Sequence, residues 1–419
     1  DMFSLGPLRI TLGLLLIGAI VGFASGSYPA FFLSSFKPTD VLKSGAMRGA
    51  RGSILRRILV IFQFVVTIVL FICTMVVNRQ MSYLQDKDLG FQKENLVVID
   101  RAYVLEEQIG AFRQELLKNP SIEQVSISSA VPGGLIGDNA FLPEGASTDE
   151  THAINNIWAD WFFKDTYELE MLEGRWFDME NPTDSFALII SESAAKALSF
   201  EDPLNQRLYT QFGEDTESPH PIIGVVKDFH FQSLHQEIRP LIIQFNRENF
   251  YQMSVRIGES NAGLTLDYIE KTWNAFMEQQ PIHMTFLEED LANLYENENK
   301  TAVVFNIFSI LAIFIASLGL LGLASFSAAQ RTKEVGIRKA MGASISSVLV
   351  VLSREFIWLI LAATLAAWPL AYFFMKDWLQ DFPSRISLEP RIFLLSTLLA
   401  FLIAAITVLV RVYQAASMN

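Results

Sequence analysis

Cysteine is almost absent: Cys73 is the only one among 419 residues, so no disulfide can hold any part of the fold. Nucleotide hydrolysis through a P-loop is excluded as well, because neither Gly-Lys-Ser nor Gly-Lys-Thr occurs. HExxH, GxSxG and paired-cysteine patterns are missing too, which removes the usual metalloprotease, serine-hydrolase and zinc-ribbon readings. Charge is scarce, at 18% of residues, against roughly 25% in an average soluble domain. That scarcity is concentrated in five blocks free of Asp, Glu, Lys, Arg and His: Ile10–Leu33, Ile58–Val77, Ala302–Ala329, Phe356–Met375 and Ile392–Val410. Ion-driven transporters place ionisable groups in mid-membrane, so their absence disfavours secondary transport. Any energy source must come from outside the chain.

What remains is strongly apolar, 51% hydrophobic with mean hydropathy +0.30. The five blocks run 24, 20, 28, 20 and 19 residues, and about 20 suffice to cross the ~30 Å hydrocarbon layer. The expectation is an α-helical transmembrane protein with five spans. Small residues Ala24, Ser25, Gly26 and Ser27 imitate a signal-peptide cleavage site. The only base before them is Arg9, and cleavage would leave a basic segment outside, so the first block reads as a span. Gly18, Gly22 and Gly26 repeat at four-residue spacing on it, either a helix-packing face or the ordinary glycine content of membrane helices. The chain opens at Asp1 just before this span, which leads us to expect a preceding part.

Basic residues orient the spans. Segment 34–57 carries Lys37, Lys43, Arg48, Arg51, Arg56 and Arg57 against Asp40, and segment 330–355 carries Arg331, Lys333, Arg338, Lys339 and Arg354 against Glu334 and Glu355. Both are expected to be cytoplasmic. Residues 79–300 then lie outside with net charge −22, while the rest of the chain carries +9. No basic residues interleave with aromatics there, so nucleic acid is not an expected partner. At 222 residues this exterior domain can be held by its own core, and a disulfide-free exterior fits a bacterial envelope.

Within it, Leu96–Asp100 and Ile122–Ser128 read as strands around an amphipathic helix Glu106–Lys118. Farther on, Ala187–Ser191, Ile222–Asp228, Leu241–Phe245, Gln252–Ile257 and His283–Leu287 read as strands, with helices at Glu192–Leu198 and Thr265–Gln279. Residues 132–149, rich in Gly, Pro and Asp, read as a subdomain boundary. The flanking β-α-β segments predict an α+β extracytoplasmic layer with a second, mostly β, unit inserted. Residues 78–91 and 291–300 read as helical stalks continuing the second and third spans, the first ended by Gly90. All five histidines are outside, and His230, His235 and Glu237 form their one loose cluster; the spacing fits a structural loop better than zinc.

The most informative stretch is cytoplasmic: Arg331-Thr332-Lys333-Glu334-Val335-Gly336-Ile337-Arg338-Lys339-Ala340-Met341-Gly342. Ile337, Ala340 and Met341 can share one helical face, the bases occupy others, and Gly342 can end the helix. Such a helix suits docking into a partner's groove, or equally a basic anchor at the membrane surface.

RTKEVGIRKAMGAS, followed by a span beginning near SREF, resembles the loop after the exterior domain in FtsX-like permeases of the MacB type, the membrane subunits of ABC systems. KPTDVLKSG before LRRILVIFQF, the segment GVVKDFHFQSLH and the order span, exterior domain, three spans are similar to duplicated permeases of Bacteroidetes-like bacteria. The resemblance implies a chain organised as a span from a preceding repeat (1–33), a basic linker (34–57), a span (58–78), a MacB-like periplasmic core with porter and inserted parts (79–300), and an FtsX-like domain (301–419) with its coupling loop at 330–355. It further implies a bacterial inner-membrane location and a separate ABC ATPase subunit docking on the helix around Glu334–Gly342. ATP and Mg would be bound on that ATPase, with no cofactor on this chain. A second permease half or dimer mate, membrane lipid and a periplasmic adaptor or substrate protein are the other implied partners. ATP-driven motion would reach the exterior domain by mechanotransmission, for export or extraction of an envelope substrate. A membrane sensor and a regulator of cell-wall hydrolases are the alternatives using the same exterior domain.

Overall fold

The computed structural model describes residues 11–13, 15–16, 18–23, 26–27, 48–210, 218–234, 236–245, 250–258, 261–330, 337, 341 and 345–417. Two compact units emerge: Asp1–Val65 with Ile315–Ala363 and Phe401–Asn419, and Val66–Phe314 with Thr364–Ala400.

Among the described residues four helices are long and apolar enough to cross a membrane, within α1 (Arg48–Asp86), α7 (Glu296–Gln330), α8 (Ile345–Leu379) and α9 (Pro390–Ser417). Over the first block the helix Thr11–Phe23 is shorter than a span, so four of the five expected spans are seen at full length. In the first unit, Arg57 pairs with Glu355 at 2.5 Å and the Arg56 guanidinium lies 3.9 Å from the centre of the Phe326 ring. In the second, Thr74 and Ser309 share a 2.8 Å hydroxyl hydrogen bond and Trp368 Nε1 donates to Thr397 Oγ1 at 2.9 Å. The two in the second unit are uncharged polar contacts, the kind that join helices where no water competes.

The exterior domain begins with β1 (Leu96–Asp100), α2 (Ile109–Leu116) and β2 (Ile122–Ser128) and ends with β10 (Gln252–Ile257), α5 (Ala262–Phe276) and β11 (Met284–Phe286). The strands pair in the order β11-β1-β10-β2, every neighbour antiparallel, with Leu96 opposite Arg256 and Val97 opposite Phe286. The two β-α-β halves therefore interlock as a split β-α-β sheet. Strand β1 is a run of apolar residues because both of its faces are covered. Val97 and Ile99 meet Phe112, Ile269 and Trp273 under the helices, while Leu96 and Val98 enter a second core on the opposite face. The expected helix 106–118 is split: Ala102–Gln108 is a 3₁₀ segment interrupted at Glu106 (φ 44°), and α2 starts only at Ile109.

Between β2 and β10 the chain builds the inserted unit. Strands β3 (Gly137–Pro143), β4 (His152–Ala159), β6 (Leu188–Ser191), β7 (Arg207–Thr210), β8 (His220–Val226) and β9 (Leu241–Phe245) pair in a closed ring, β4-β3-β7-β8-β6-β9 and back to β4. Closure removes free edges. Phe141, Ile154, Leu188, Ile190, Leu208 and Ile242 fill this barrel. Strand β5 (Met171–Gly174) adds to β8, and helices α3 (Phe163–Tyr167) and α4 (Glu192–Ala197) lie in the connections. The 132–149 segment is thus not merely a boundary: Gly137–Pro143 within it is β3, drawn into the sheet by five residue pairs with β4 despite its Gly and Asp content. Among the described residues, Ser128 opposite Ala159 is the single strand pair joining barrel and split sheet.

Candidate functional site

The coupling loop lies largely outside the described residues: nothing is described for Arg331, Thr332, Lys333, Glu334, Val335, Gly336, Arg338, Lys339, Ala340 or Gly342. Ile337 is helical and Met341 follows one turn later, its N–H donating to the Ile337 carbonyl at 3.0 Å. Both side chains are largely exposed, 63% and 83%. Gly18, Gly22 and Gly26 are helical, and a methyl placed on any of them would meet no atom within 4 Å.

The best-defined functional geometry is instead where the stalks enter the exterior domain. Helix α1 ends at Asp86, earlier than the expected stop, and the chain turns at Gly90 with φ +81°. A Cβ there would sit 2.9 Å from Phe229 Cβ, so both the left-handed backbone and the close approach require glycine. The second stalk also departs from the expected unbroken helix. Helix α6 (Leu287–Asn293) stops, Leu294 and Tyr295 form a turn, and α7 starts at Glu296.

Both stalks are tied by one loop, Asp228–Leu234. The His230 N–H donates to the Leu89 carbonyl at 2.8 Å, holding the first stalk. The Leu234 N–H donates to the Tyr295 hydroxyl at 2.9 Å, holding the second. The Gly133 N–H donates to the Phe231 carbonyl at 2.8 Å and pins the β2–β3 connection to the same loop. Phe229, Phe231 and Leu234 share the apolar cluster of Leu84, Leu89, Phe91, Leu287 and Tyr295. Phe91 packs edge-on against Phe229 and Tyr167, with ring centres 6.4 Å and 6.0 Å apart. The loop reads in sequence as a histidine cluster, yet its structural work is done by two phenylalanines and a leucine, Phe229, Phe231 and Leu234. His235 lies outside the described residues, and among those described no group of three acidic, histidine or cysteine side chains could hold a metal. Burial pushes His230 down to about 4, with nearby Lys87 acting in the same direction, so it is neutral near pH 7.

Two buried polar staples brace the junction. Gln80, fully buried, donates from Nε2 to the Ser384 carbonyl at 2.8 Å and accepts at Oε1 from the Ile386 N–H at 2.9 Å, fixing the α8–α9 turn against α1. Phe382 from that turn joins the junction cluster. Arg256 on β10 donates to the carbonyls of Thr166 (2.6 Å), Gln92 (3.2 Å) and Glu94 (3.3 Å), holding the strand that follows the first stalk. Neither staple is legible as such from the sequence, since a lone Gln or Arg carries no spacing signal.

Residues 306–419 match the family described as FtsX-like permease C-terminal. The chain carries an FtsX-like permease domain. The chain is also 25% identical over 203 residues to the macrolide export ATP-binding/permease protein MacB of Haemophilus ducreyi, a match covering 45% of this chain and 28% of that protein. It therefore spans less than a third of that relative's length. Two solved structures resemble it: the periplasmic region of MacB from Actinobacillus actinomycetemcomitans (TM-score 0.36, 13% identity, 50% of this chain and 95% of that one) and the extracellular domain of the noncanonic ABC-type transporter YknZ from Gram-positive bacteria (TM-score 0.32, 14% identity, 50% and 94%).

Proposed function

We propose that this permease is the membrane subunit of a MacB-like ABC transport system, passing ATP-driven motion of a separate ATPase to its exterior domain. In this reading the 331–342 segment receives the ATPase, ATP and Mg stay on that subunit, and a second permease half or dimer mate completes the assembly in a bacterial inner membrane. The observation that carries it is the stalk junction. One loop grips the ends of two membrane helices, through Leu89 on one side and Tyr295 on the other. A helix displaced along its axis would move that loop and the domain behind it. The apolar spans support the same reading, since mechanical transmission needs no ion pathway through the bilayer.

The test is reconstitution of the permease with its ATPase in lipid nanodiscs. Gly336→Pro and Glu334→Ala should each abolish the dependence of ATP hydrolysis on the permease, with membrane insertion intact; full coupling in both variants would sink the assigned role of that segment.

A further inference from the structure

The spans within α1 and α8 both begin at an arginine, Arg56 and Arg354, and α1 leads into the exterior domain only from its opposite end, Asp86. Their chain neighbours Arg57 and Glu355 form the 2.5 Å ion pair that ties the two helices, so these charges stand at one level. Among the described side chains, three guanidiniums are thus set there against one carboxylate. Arg57 takes that carboxylate, and Arg56 lies over the Phe326 ring. Arg354 is exposed and makes no hydrogen bond or ion pair with any of the described residues. One turn farther on, Trp358 is 63% exposed, and Leu361 and Leu365 continue the same outward stripe of α8, while Phe356, Ile360 and Ala363 on its other side are buried.

We propose that this stripe binds an anionic phospholipid of the adjoining leaflet, its phosphate held by the Arg354 guanidinium and one acyl chain lying along Leu361 and Leu365. The guanidinium fork matches two phosphate oxygens, and a headgroup is the counter-ion nearest to the end of an apolar span. Trp358 suits the same level, with an apolar ring body and an indole N–H that can donate to an ester or phosphate oxygen. A soluble protein is the poorer occupant. From Trp358 to Leu365 the stripe descends about 10 Å along the helix, into hydrocarbon that such a partner does not reach. A zwitterionic lipid brings an ammonium with its phosphate, so net charge favours the anionic one, by about fivefold (~1 kcal/mol) for a single arginine. The site rests on the spans lying in a bilayer, and not on the coupling role given to residues 331–342.

The full chain is reconstituted in phosphatidylcholine vesicles, and quenching of tryptophan emission by phosphatidylglycerol brominated on its acyl chains is compared with quenching by equally brominated phosphatidylcholine. Trp358→Phe supplies the background from the other tryptophans. Half-quenching of the Trp358 signal is expected at about one fifth of the lipid fraction with phosphatidylglycerol, a preference that Arg354→Gln brings near unity and Arg354→Lys largely keeps. Arg354 is exposed and outside the Arg57–Glu355 pair, so both variants should fold, which their melting curves check. Equal quenching by the two lipids in the wild type overturns the proposal. So does a preference that persists in Arg354→Gln, which would move the lipid to Arg56. If lipid preference is absent and ATPase binding is instead lost in Arg354→Gln, the arginine belongs to a protein interface. The quenching is measured without ATP or ATPase, so failure there leaves the coupling reading standing, and failure of coupling leaves the lipid site standing.

Discussion

Asp160 shows how one side chain can set the pH response of the exterior domain. It follows β4 at the link to the split sheet, is 4% exposed, and its carboxylate accepts from the Phe162 N–H at 3.1 Å. Burial raises its pKa to about 7, opposed by the Arg113 guanidinium. Arg113 itself donates to the Val125 carbonyl at 2.9 Å and lies 3.3 Å from the centre of the Phe162 ring. Because the folded value exceeds the ~3.9 of an unfolded Asp, the folded protein holds a proton that the unfolded chain has released between these limits. Stability from this group is therefore greatest below about pH 4, falls by about 1.4 kcal/mol per unit as pH rises toward about 7, and is flat above. Asp160→Asn should remove that slope while keeping the Phe162 contact. Melting curves of wild type and variant between pH 4.5 and 8 check it, and parallel curves would show that Asp160 ionises normally. Arg256 makes the complementary case. It is 8% exposed and satisfies three backbone carbonyls, so Arg256→Met should destabilise the exterior domain by about 3 kcal/mol through groups left unpaired. Hydrogen exchange should rise first around Gln92–Glu94.

At the scale of elements the decisive feature is the junction between stalk and domain, and its weakest point to substitution is Gly90. Gly90→Ala would need the φ of +81° with a side chain and would press on Phe229, so about 2 kcal/mol of junction stability should be lost. Faster proteolysis near Leu89 in Gly90→Ala, with the barrel still protected, is the expected readout. Gln80→Leu should loosen the α8–α9 turn, exposing the Ser384–Ile386 amides to exchange, because both hydrogen bonds go with one side chain. How much of this could be read beforehand follows from what drives each element. LVVID, LIIQF and QMSVRI are β-branched runs buried by nearby cores, and they fall at their expected residues. Strands β5 and β7 are short, and like β3 they carry Gly, Pro or charge; all three exist because distant sequence supplies their partners. Tyr295 was hidden for a related reason. The helical reading of 291–300 runs straight through Tyr295, whose hydroxyl meets the Leu234 N–H from across the fold at the break between the two helices.

For the whole molecule the question is whether the grip on two helices carries force or merely completes a core. Helices α1 and α7 are each continuous, over 39 and 35 residues, and each ends near the same loop of the exterior domain. Their tethers differ in kind. The first is backbone to backbone, which only a proline at position 230 would remove, while the second depends on a single hydroxyl, which a conservative substitution deletes. Tyr295→Phe keeps the ring in the apolar cluster and deletes the hydroxyl that accepts from Leu234 and also meets Ser233, at about 1–3 kcal/mol for the buried N–H left unpaired. If the junction transmits motion, this variant should retain ATPase docking and nucleotide turnover while the ATP-dependent change in distance between spin labels at exposed Leu135 and Leu264 shrinks by half or more. A purely structural tyrosine would lower the melting temperature and leave that ATP-dependent change intact. The two roles therefore separate in one reconstituted sample, measured with and without ATP.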